Sequence, residues 1–585
     1  MGRSEPWVVN HTIVIWVLFV AGSVLFFGRN YGYYYCFLEQ YMMFQTTPGY
    51  LHARWAEPGG MNEYVTEALS LLFTRPYGAA MVIASLLGGI SACFYAYLRA
   101  CRLRATMWLA WVPAYLFWLY PQESIAPLTA ILLGLLTALL YTAIRATWVR
   151  YAAGFLALTA TYFLSAPANL LLAALIAIYE ARAGKGKARW AVAALSLAWA
   201  TLLPLIALRT VYILPTREAY FSKYMCHPEY PVPPSLWVLG LSFPAIALAL
   251  ACLKERRTPT RKAAWRAIGP YAIVSLAMAY GLLYREDPLA QAYRYDYYAR
   301  QGQWEAIADH ARAHGVRDKD ALIYLNLALS RTDRFTDELT RFPQIGEEGF
   351  IPHDPRSRLG LIEASEVAWQ VGQVNAAQRF AFVGVLSAQR LVQPRLMKRL
   401  VETYLVTGEY RAAEKYIKLL ESTPRYRAWA SAQRPLLDSA VCARTDWVAA
   451  KRATLPITDN PFDLTKAFPS ALAYLVDDHP DNRPAFEYAM GYLLLRKDLT
   501  TFMHYMRQRR DRGEAFPRLY QEAICLFFSS VRPDPEEYRS YKVDKAVHER
   551  LLRFLKVARS MPPAVLKEQF GDTYYYYAQF VPGPK

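Results

Sequence analysis

No aspartate occurs before Asp287 in a chain of 585 residues. An absence that long marks a segment that folds in a medium hostile to carboxylates, and a lipid bilayer is such a medium. Residues 1–284 hold ten glutamates against twenty-two lysines and arginines, whereas residues 285–585 hold thirty-eight acidic and forty-four basic residues. The whole-chain averages conceal this division. The chain is 54% hydrophobic and 19% charged, and its mean hydropathy is +0.07, which fits neither an ordinary soluble protein nor one embedded throughout. The formal charge of +18 divides as about +12 and +6, so most of it belongs to the first half and is not a nucleic-acid footprint. Seven cysteines in such a length cannot be a disulfide framework.

The first half carries apolar stretches at 11–27, 78–98, 106–120, 126–144, 151–166, 168–179, 190–210, 235–253 and 267–284. A full crossing needs roughly 20 apolar residues, so several of these are short, tilted or re-entrant pieces. The first stretch is too long for a signal peptide and lacks a small-residue cleavage site, which makes it an uncleaved anchor. The expected fold is therefore all-α: a polytopic membrane bundle of about nine segments over 1–285, then a soluble helical domain over 286–585.

Basic residues set the orientation. Sixteen lie at the N-terminus or in short loops that share one side when the nine segments alternate, among them Arg99, Arg102, Arg145, Arg150, Arg182 and Arg189. Six lie opposite in longer loops: Arg29, Arg54, Arg75, Arg209, Arg217 and Lys223. The expected topology has a cytoplasmic N-terminus, with loops 28–77 and 211–234 and the whole C-terminal domain on the outer, periplasmic side of a bacterial inner membrane. It depends on hairpins at Ser165–Asn169 and at Pro121-Gln122-Glu123.

The second half shows helical periodicity with short connections. Gly408-Glu409-Tyr410-Arg411-Ala412-Ala413 is the clearest turn, and similar ones occur at Gly302-Gln303-Trp304 and Gly372-Gln373-Val374. Their spacings of 70 and 36 residues are close to two and one periods of an about 34-residue helical hairpin. This resembles tetratricopeptide repeats in a degenerate form. Such a domain either packs hairpins only for stability or presents a concave surface to a protein or peptide. Tyr574-Tyr575-Tyr576-Tyr577 reads as a docking face.

There is no P-loop, no GxGxxG after a strand, no HExxH, no CxxC and no GxSxG, which removes most nucleotide-driven and zinc-dependent chemistries. The membrane half also lacks an Asp/Glu/His series suited to a proton relay. The informative segment is 28–77, which contains four of the ten early glutamates. Pro58-Gly59-Gly60 is a turn, and Asn62 is placed to cap the helix after it. Glu63 and Glu67 are one helical turn apart and share a face, with Glu63 in the first turn where the helix dipole favours a carboxylate. The bland reading is a cap plus a solvated face. The functional one is a general base, and Glu39, set among Tyr, Phe, Leu and Met, is the second candidate for that role. In 211–234, Arg217, Lys223 and His227, with Arg209 at the start, suit the phosphate of a lipid-linked substrate or simply anchor the loop at the interface. Cys36 and Cys226 share the oxidising side, and the sequence leaves a disulfide between them open.

Phe37-Leu38-Glu39-Gln40, then Pro58-Gly59-Gly60-Met61-Asn62-Glu63-Tyr64, then Arg75-Pro76 resemble the opening of an uncharacterised family of bacterial multi-pass membrane proteins; Asp287-Pro288-Leu289 and Gly571-Asp572-Thr573-Tyr574 fit it too. A first helix, a long acidic outer loop, many short crossings and a helical-repeat tail are also similar to the GT-C glycosyltransferase architecture. That resemblance implies a polyprenyl-(pyro)phosphate-linked sugar donor used at the outer face. It also implies a catalytic carboxylate, commonly aspartate, in the first outer loop. The chain offers only glutamates there, with no paired DD or DxD, so no motif supports a divalent metal. On this expectation Glu39 or Glu63 is catalytic. Arg54, His52, Glu67, Arg209, Arg217, Lys223 and His227 bind donor or acceptor, and the repeat domain presents a protein or glycan acceptor. The competing expectation is a non-enzymatic membrane scaffold that recruits periplasmic partners through its repeat domain for envelope assembly or secretion.

Overall fold

A computed structural model describes residues 6–103, 110–119, 124–184, 186–222, 234–252, 276, 280, 288–350, 358–387, 393–455, 457, 464–530 and 535–581. The chain forms two compact units: one holds Met1–Glu286 with the short segment Ser422–Arg425, and the other holds Asp287–Glu421 with Tyr426–Lys585. Among the described residues there are helices and no strand.

The first unit contains α1 (Pro6–Asn30), α2 (Gly32–Leu38), α3 (Pro48–Trp55), α4 (Gly60–Ser70), α5 (Pro76–Ala100), α6 (Val112–Leu119), α7 (Ala126–Ala143), α8 (Thr147–Ser165), α9 (Ala168–Ala183), α10 (Ala188–Thr210), α11 (Thr216–Phe221) and α12 (Pro234–Cys252). Among the described residues, four of them, α5, α7, α10 and α12, are long and apolar enough to cross a membrane. That corrects the expected figure of about nine. Helices do form at the other described apolar stretches, but α6 has 8 residues and α9 has 16, short of the roughly 20 a crossing requires. All of the stretch 267–284 but residues 276 and 280, and the Pro121-Gln122-Glu123 turn, lie outside the described residues.

Small residues and aromatic indoles bring the long helices together. α1 lies along α5, where Trp16 Nε1 donates to the Gly88 carbonyl at 3.0 Å. A Cβ on Gly88 would stand 2.9 Å from Val20 Cγ2, so only glycine permits this approach. α5 packs on α7, α7 on α9, and α9 on α10. α8 and α9 form a hairpin that turns at Ala166–Pro167.

Near the open ends of that hairpin a charge is buried that hydropathy does not reveal. Glu180 is fully buried and its Oε1 accepts from Arg150 Nε at 2.9 Å and from the Tyr141 hydroxyl at 2.8 Å. The rings of Tyr141, Tyr151 and Tyr179 surround the guanidinium at 5.6–5.8 Å. Arg150 is thus a structural group, and the first unit buries an ion pair that its composition does not reveal.

The second unit is built of successive helical hairpins. Gly302, Gly372 and Gly408 all have positive φ and each separates two helices, the last pair being Pro394–Thr407 and Tyr410–Glu421. The left-handed conformation closes one helix and lets the next fold back. Short helices such as Phe335–Glu338, Arg427–Gln433 and Ser439–Ala443 interrupt the series, so no uniform period runs through it. The tyrosine run at the C-terminus corrects a second expectation. Tyr574, Tyr575 and Tyr577 are buried, and the Tyr574 and Tyr577 hydroxyls donate to the carbonyls of Leu494 and Leu495 at 2.9 and 2.8 Å. These phenols satisfy the last carbonyls of the helix Arg483–Arg496 instead of facing a partner.

A buried ionic network ties four helices of this unit. Arg395 pairs with Asp296, which also accepts from the Tyr324 hydroxyl at 2.7 Å, and Arg399 reaches Glu366 at 2.8 Å. Burial raises the Glu366 pKa, but Arg399 and Arg395 outweigh it and hold the carboxyl at about 2. Glu363 is the opposite case. It is fully buried, and neither of its carboxylate oxygens has a hydrogen-bond partner among the described residues. Burial first, then Asp320, Asp296 and Asp318, push its carboxyl well above the ordinary range against the pull of Arg395. A carboxyl whose folded pKa is raised costs stability as pH rises from its unfolded value of about 4.3 toward that raised value. Glu363→Gln should therefore raise the thermal unfolding midpoint at pH 8, and the gap should close below about pH 4.3. Scans of the detergent-solubilised protein across pH check this; a gap that widens on acidification contradicts it.

Candidate functional site

Residues 28–77 are a string of short helices, not an extended loop. Thr47 opens α3 by accepting from the Tyr50 amide at 3.4 Å, and Pro48 follows at a position where its missing N–H costs nothing. α3 then carries Tyr50 and Arg54 on one face, four residues apart. The chain reverses at Gly59, whose φ of +72° is left-handed. The Gly59 amide donates to the Phe163 carbonyl at 3.2 Å. A Cβ on Gly60 would stand 1.9 Å from the Arg54 carbonyl oxygen, so the Gly-Gly pair is what lets α3 lie close to the start of α4.

α4 is pinned to the membrane-capable helices by polar contacts. Asn62 Nδ2 donates to the Ala126 carbonyl at 3.0 Å, and the Thr66 and Thr129 hydroxyls meet at 3.2 Å. Asn62 is therefore not the cap: the cap position belongs to Gly59, and Asn62 lies inside the helix. Glu63 and Glu67 do share a face, but both are only 2% exposed, so that face is buried and not solvated. α4 contacts the first turn of α7, whereas Arg150 and Glu180 mark the far end of the α8–α9 hairpin. The acidic cluster thus sits at the opposite end of the bundle from Arg145, Arg150, Arg182 and Arg189.

Glu67 is clamped. Arg54 Nη2 donates to its Oε1 at 2.6 Å, and the Tyr50 hydroxyl makes a short hydrogen bond to its Oε2. Arg54 Nη2 also donates to the Tyr50 hydroxyl at 2.6 Å and lies over the Tyr50 ring. Burial and then Glu67 push the Tyr50 phenol above its ordinary range, so it stays a neutral donor. Burial lowers the Arg54 pKa, but Glu67 and Tyr50 more than restore it and Glu63 adds to them. Glu63 therefore lies within electrostatic reach of the clamp, one turn nearer the positive end of α4. Tyr64 packs its ring against Phe44 at 4.9 Å and Tyr50 at 6.3 Å, which gives the cluster an aromatic wall.

Of the other expected site residues, Glu39 is buried on the 3-10 turn Glu39–Tyr41, and its Oε1 is 3.7 Å from Arg425 Nε. His52 and Arg209 are exposed and lie off the clamp. Arg217 is half-buried on α11, whose following residue Ser222 packs beneath Gly59. Lys223, His227 and Cys226 lie outside the described residues, and Cys36 is buried on α2. Tyr50 was not anticipated, although its spacing from Arg54 was the available signal. Among the described residues no group of three or more His, Cys, Asp or Glu is placed to hold a metal ion.

A buried carboxylate cluster at one end of membrane-capable helices, joined to a second helical unit, defines a helical membrane-type protein with a polar site at the helix ends. The chain belongs to the family described as "Family of unknown function (DUF6057)", whose model matches residues 8–581. No curated protein and no solved structure matches the chain.

Proposed function

We infer that the protein is a GT-C-like membrane glycosyltransferase or oligosaccharide transferase, acting on a polyprenyl-(pyro)phosphate-linked sugar at the periplasmic face of a bacterial inner membrane. One observation carries the reading: a buried glutamate, Glu63, stands beside a second one whose two oxygens are already committed to Arg54 and Tyr50. Glu67 is held by that clamp, and Glu63 lies near the positive end of α4, within electrostatic reach of the same cluster. In the reaction the acceptor oxygen forms a bond to the anomeric carbon as the bond from that carbon to the lipid phosphate breaks. Glu63 takes the acceptor proton. Arg54, and Arg217 on the neighbouring α11, offset the charge that develops on the departing phosphate. Glu67 and Tyr50 hold Arg54 in place, and the second unit, tetratricopeptide-like in its hairpins, presents the acceptor.

The test compares surface and protein-linked glycan in cells making wild-type protein or Glu63→Gln, with membrane levels of the two matched by immunoblot. Glycan should fall to the level of a deletion strain while the protein accumulates normally. Unchanged glycan removes Glu63 from the mechanism and leaves the scaffold reading, which the helical hairpins of the second unit favour.

A further inference from the structure

Within the second unit, the buried network of Arg395, Arg399, Asp296 and Glu366 continues into a face where cations outnumber carboxylates. On the helix Pro394–Thr407, Arg395, Lys398, Arg399 and Glu402 recur at helical spacing and so share one side. Trp369, from Arg358–Val371, and Lys451, from Asp446–Arg452, meet that side. The Arg399 guanidinium lies 4.5 Å and the Lys451 ammonium 4.7 Å from the Trp369 ring centroid. The Lys398 ammonium lies 4.5 Å over Trp429. Arg331 stands within electrostatic reach of Lys451, and Arg300 within reach of Lys398.

The carboxylates here are already shared between two arginines. Asp296 pairs with Arg395, and Arg399 reaches Glu366 at 2.8 Å and Glu402 at 2.9 Å. Lys398, Lys451 and Arg331 make no ion pair among the described residues. Both lysines are half-buried and Arg331 is exposed. The Lys451 ammonium bonds the Trp369 carbonyl, which uses one of its three donors. Burial first, then Arg399 and Arg331, lower the Lys451 amine to about 8, and Glu366 and Glu402 restore it only in part. Burial also lowers Lys398; Glu402 opposes that, and Arg399, Arg395 and Arg300 add to it. Like charges gathered on a half-buried face repel one another, and an anion relieves the repulsion. Titratable groups clustered and perturbed in this way are a common mark of a binding site. A carboxylate would offset a single charge. A phosphate carries up to two charges and three strong acceptor oxygens, which suits ammonium heads with donors to spare.

We propose that this face binds a phosphate-bearing ligand, with Lys451 and Lys398 as its donors and Arg331 as the outer charge that draws it in. The inference draws on the charge of this face alone and holds for an enzyme and for a scaffold.

The test titrates detergent-solubilised full-length protein with inorganic pyrophosphate at low ionic strength by calorimetry. Acetate, hexaglutamate and a short-chain polyprenyl phosphate are the other arms. Wild type should bind pyrophosphate, more weakly as salt rises, and should bind acetate at least about tenfold more weakly. Tighter binding of the polyprenyl phosphate than of pyrophosphate identifies a lipid-linked source, and equal binding a soluble one; both support the phosphate site. Lys451→Gln and Lys398→Gln each remove a crowded cation, so without ligand they should unfold at or above the wild-type midpoint. Each should bind pyrophosphate about tenfold more weakly, the loss of one charge-assisted contact. Glu63→Gln should bind as wild type does, which separates failure of this inference from failure of the transfer mechanism. No binding of pyrophosphate, tighter binding of hexaglutamate, or wild-type affinity in both lysine variants overturns it.

Discussion

Glu180→Ala should destabilise the protein by about 3–5 kcal/mol, the cost of leaving one member of a buried ion pair without the other. The remaining guanidinium of Arg150 would stay enclosed by Tyr141, Tyr151 and Tyr179, with its carbonyl contact to Ile144 at 3.3 Å too little to satisfy it. Arg150→Met should cost a similar amount, because Glu180 is fully buried. The double variant Arg150→Met/Glu180→Leu should recover most of the loss, since an apolar pair of similar volume avoids the desolvation that makes either single change expensive. Orientation should survive, as the basic end keeps its other arginines. Denaturation of the detergent-solubilised protein, followed by tryptophan fluorescence, reads all three. A single variant within about 0.5 kcal/mol of wild type, as at an ordinary surface position, would mean the pair does not hold α7, α8 and α9 together. A double variant that is stable yet loses cellular function would assign the pair a functional role of the kind intramembrane charges usually have.

How much of this was readable in advance follows from what each signal depends on. Local signals held. Apolar stretches became helices wherever they are described, and three small-residue turns became hairpin turns with left-handed glycines. The pairing of Glu63 with Glu67 followed from helix periodicity alone. Whatever depends on a distant partner was hidden. Burial of the Glu63–Glu67 face requires α7 and α8, and Thr129 lies 63 residues from the Thr66 it meets. Arg150 and Glu180 are 30 residues apart; the sequence offers a basic loop and a lone glutamate, not a pair. The membrane-helix count failed on length: the Ser165–Asn169 hairpin was expected, but helices such as α6 and α9, with 8 and 16 residues, are too short to cross. The terminal tyrosines were misread because aromatic runs suit an exposed interface and a core equally well, and the carbonyls of Leu494 and Leu495 decide the matter here.

The clamp on Glu67 should show a graded response that separates its members. Arg54→Ala leaves Glu67 buried without the guanidinium bonded to its Oε1, and should cost about 3–5 kcal/mol. Tyr50→Phe removes the hydroxyl that bridges Glu67 and Arg54 but keeps the ring on Tyr64, and should cost about 1.5–3 kcal/mol, the worth of hydrogen bonding to charged groups. His52→Ala, on the exposed side of the same helix, should stay within about 0.5 kcal/mol of wild type. The order matters more than any one value, since it follows from which atoms touch Glu67. If the proposed transfer reaction is the protein's activity, glycan output should follow the same order at temperatures where every variant is still folded, because α3 and the Gly59–Gly60 turn set the position of α4 and hence of Glu63. Arg54→Lys is the decisive case. A lysine keeps the charge but cannot hold both Glu67 and Tyr50 with a planar fork, so stability should be partly restored while output stays low. If Arg54→Lys restores output fully, charge alone suffices at this position and the geometric role given to the clamp fails.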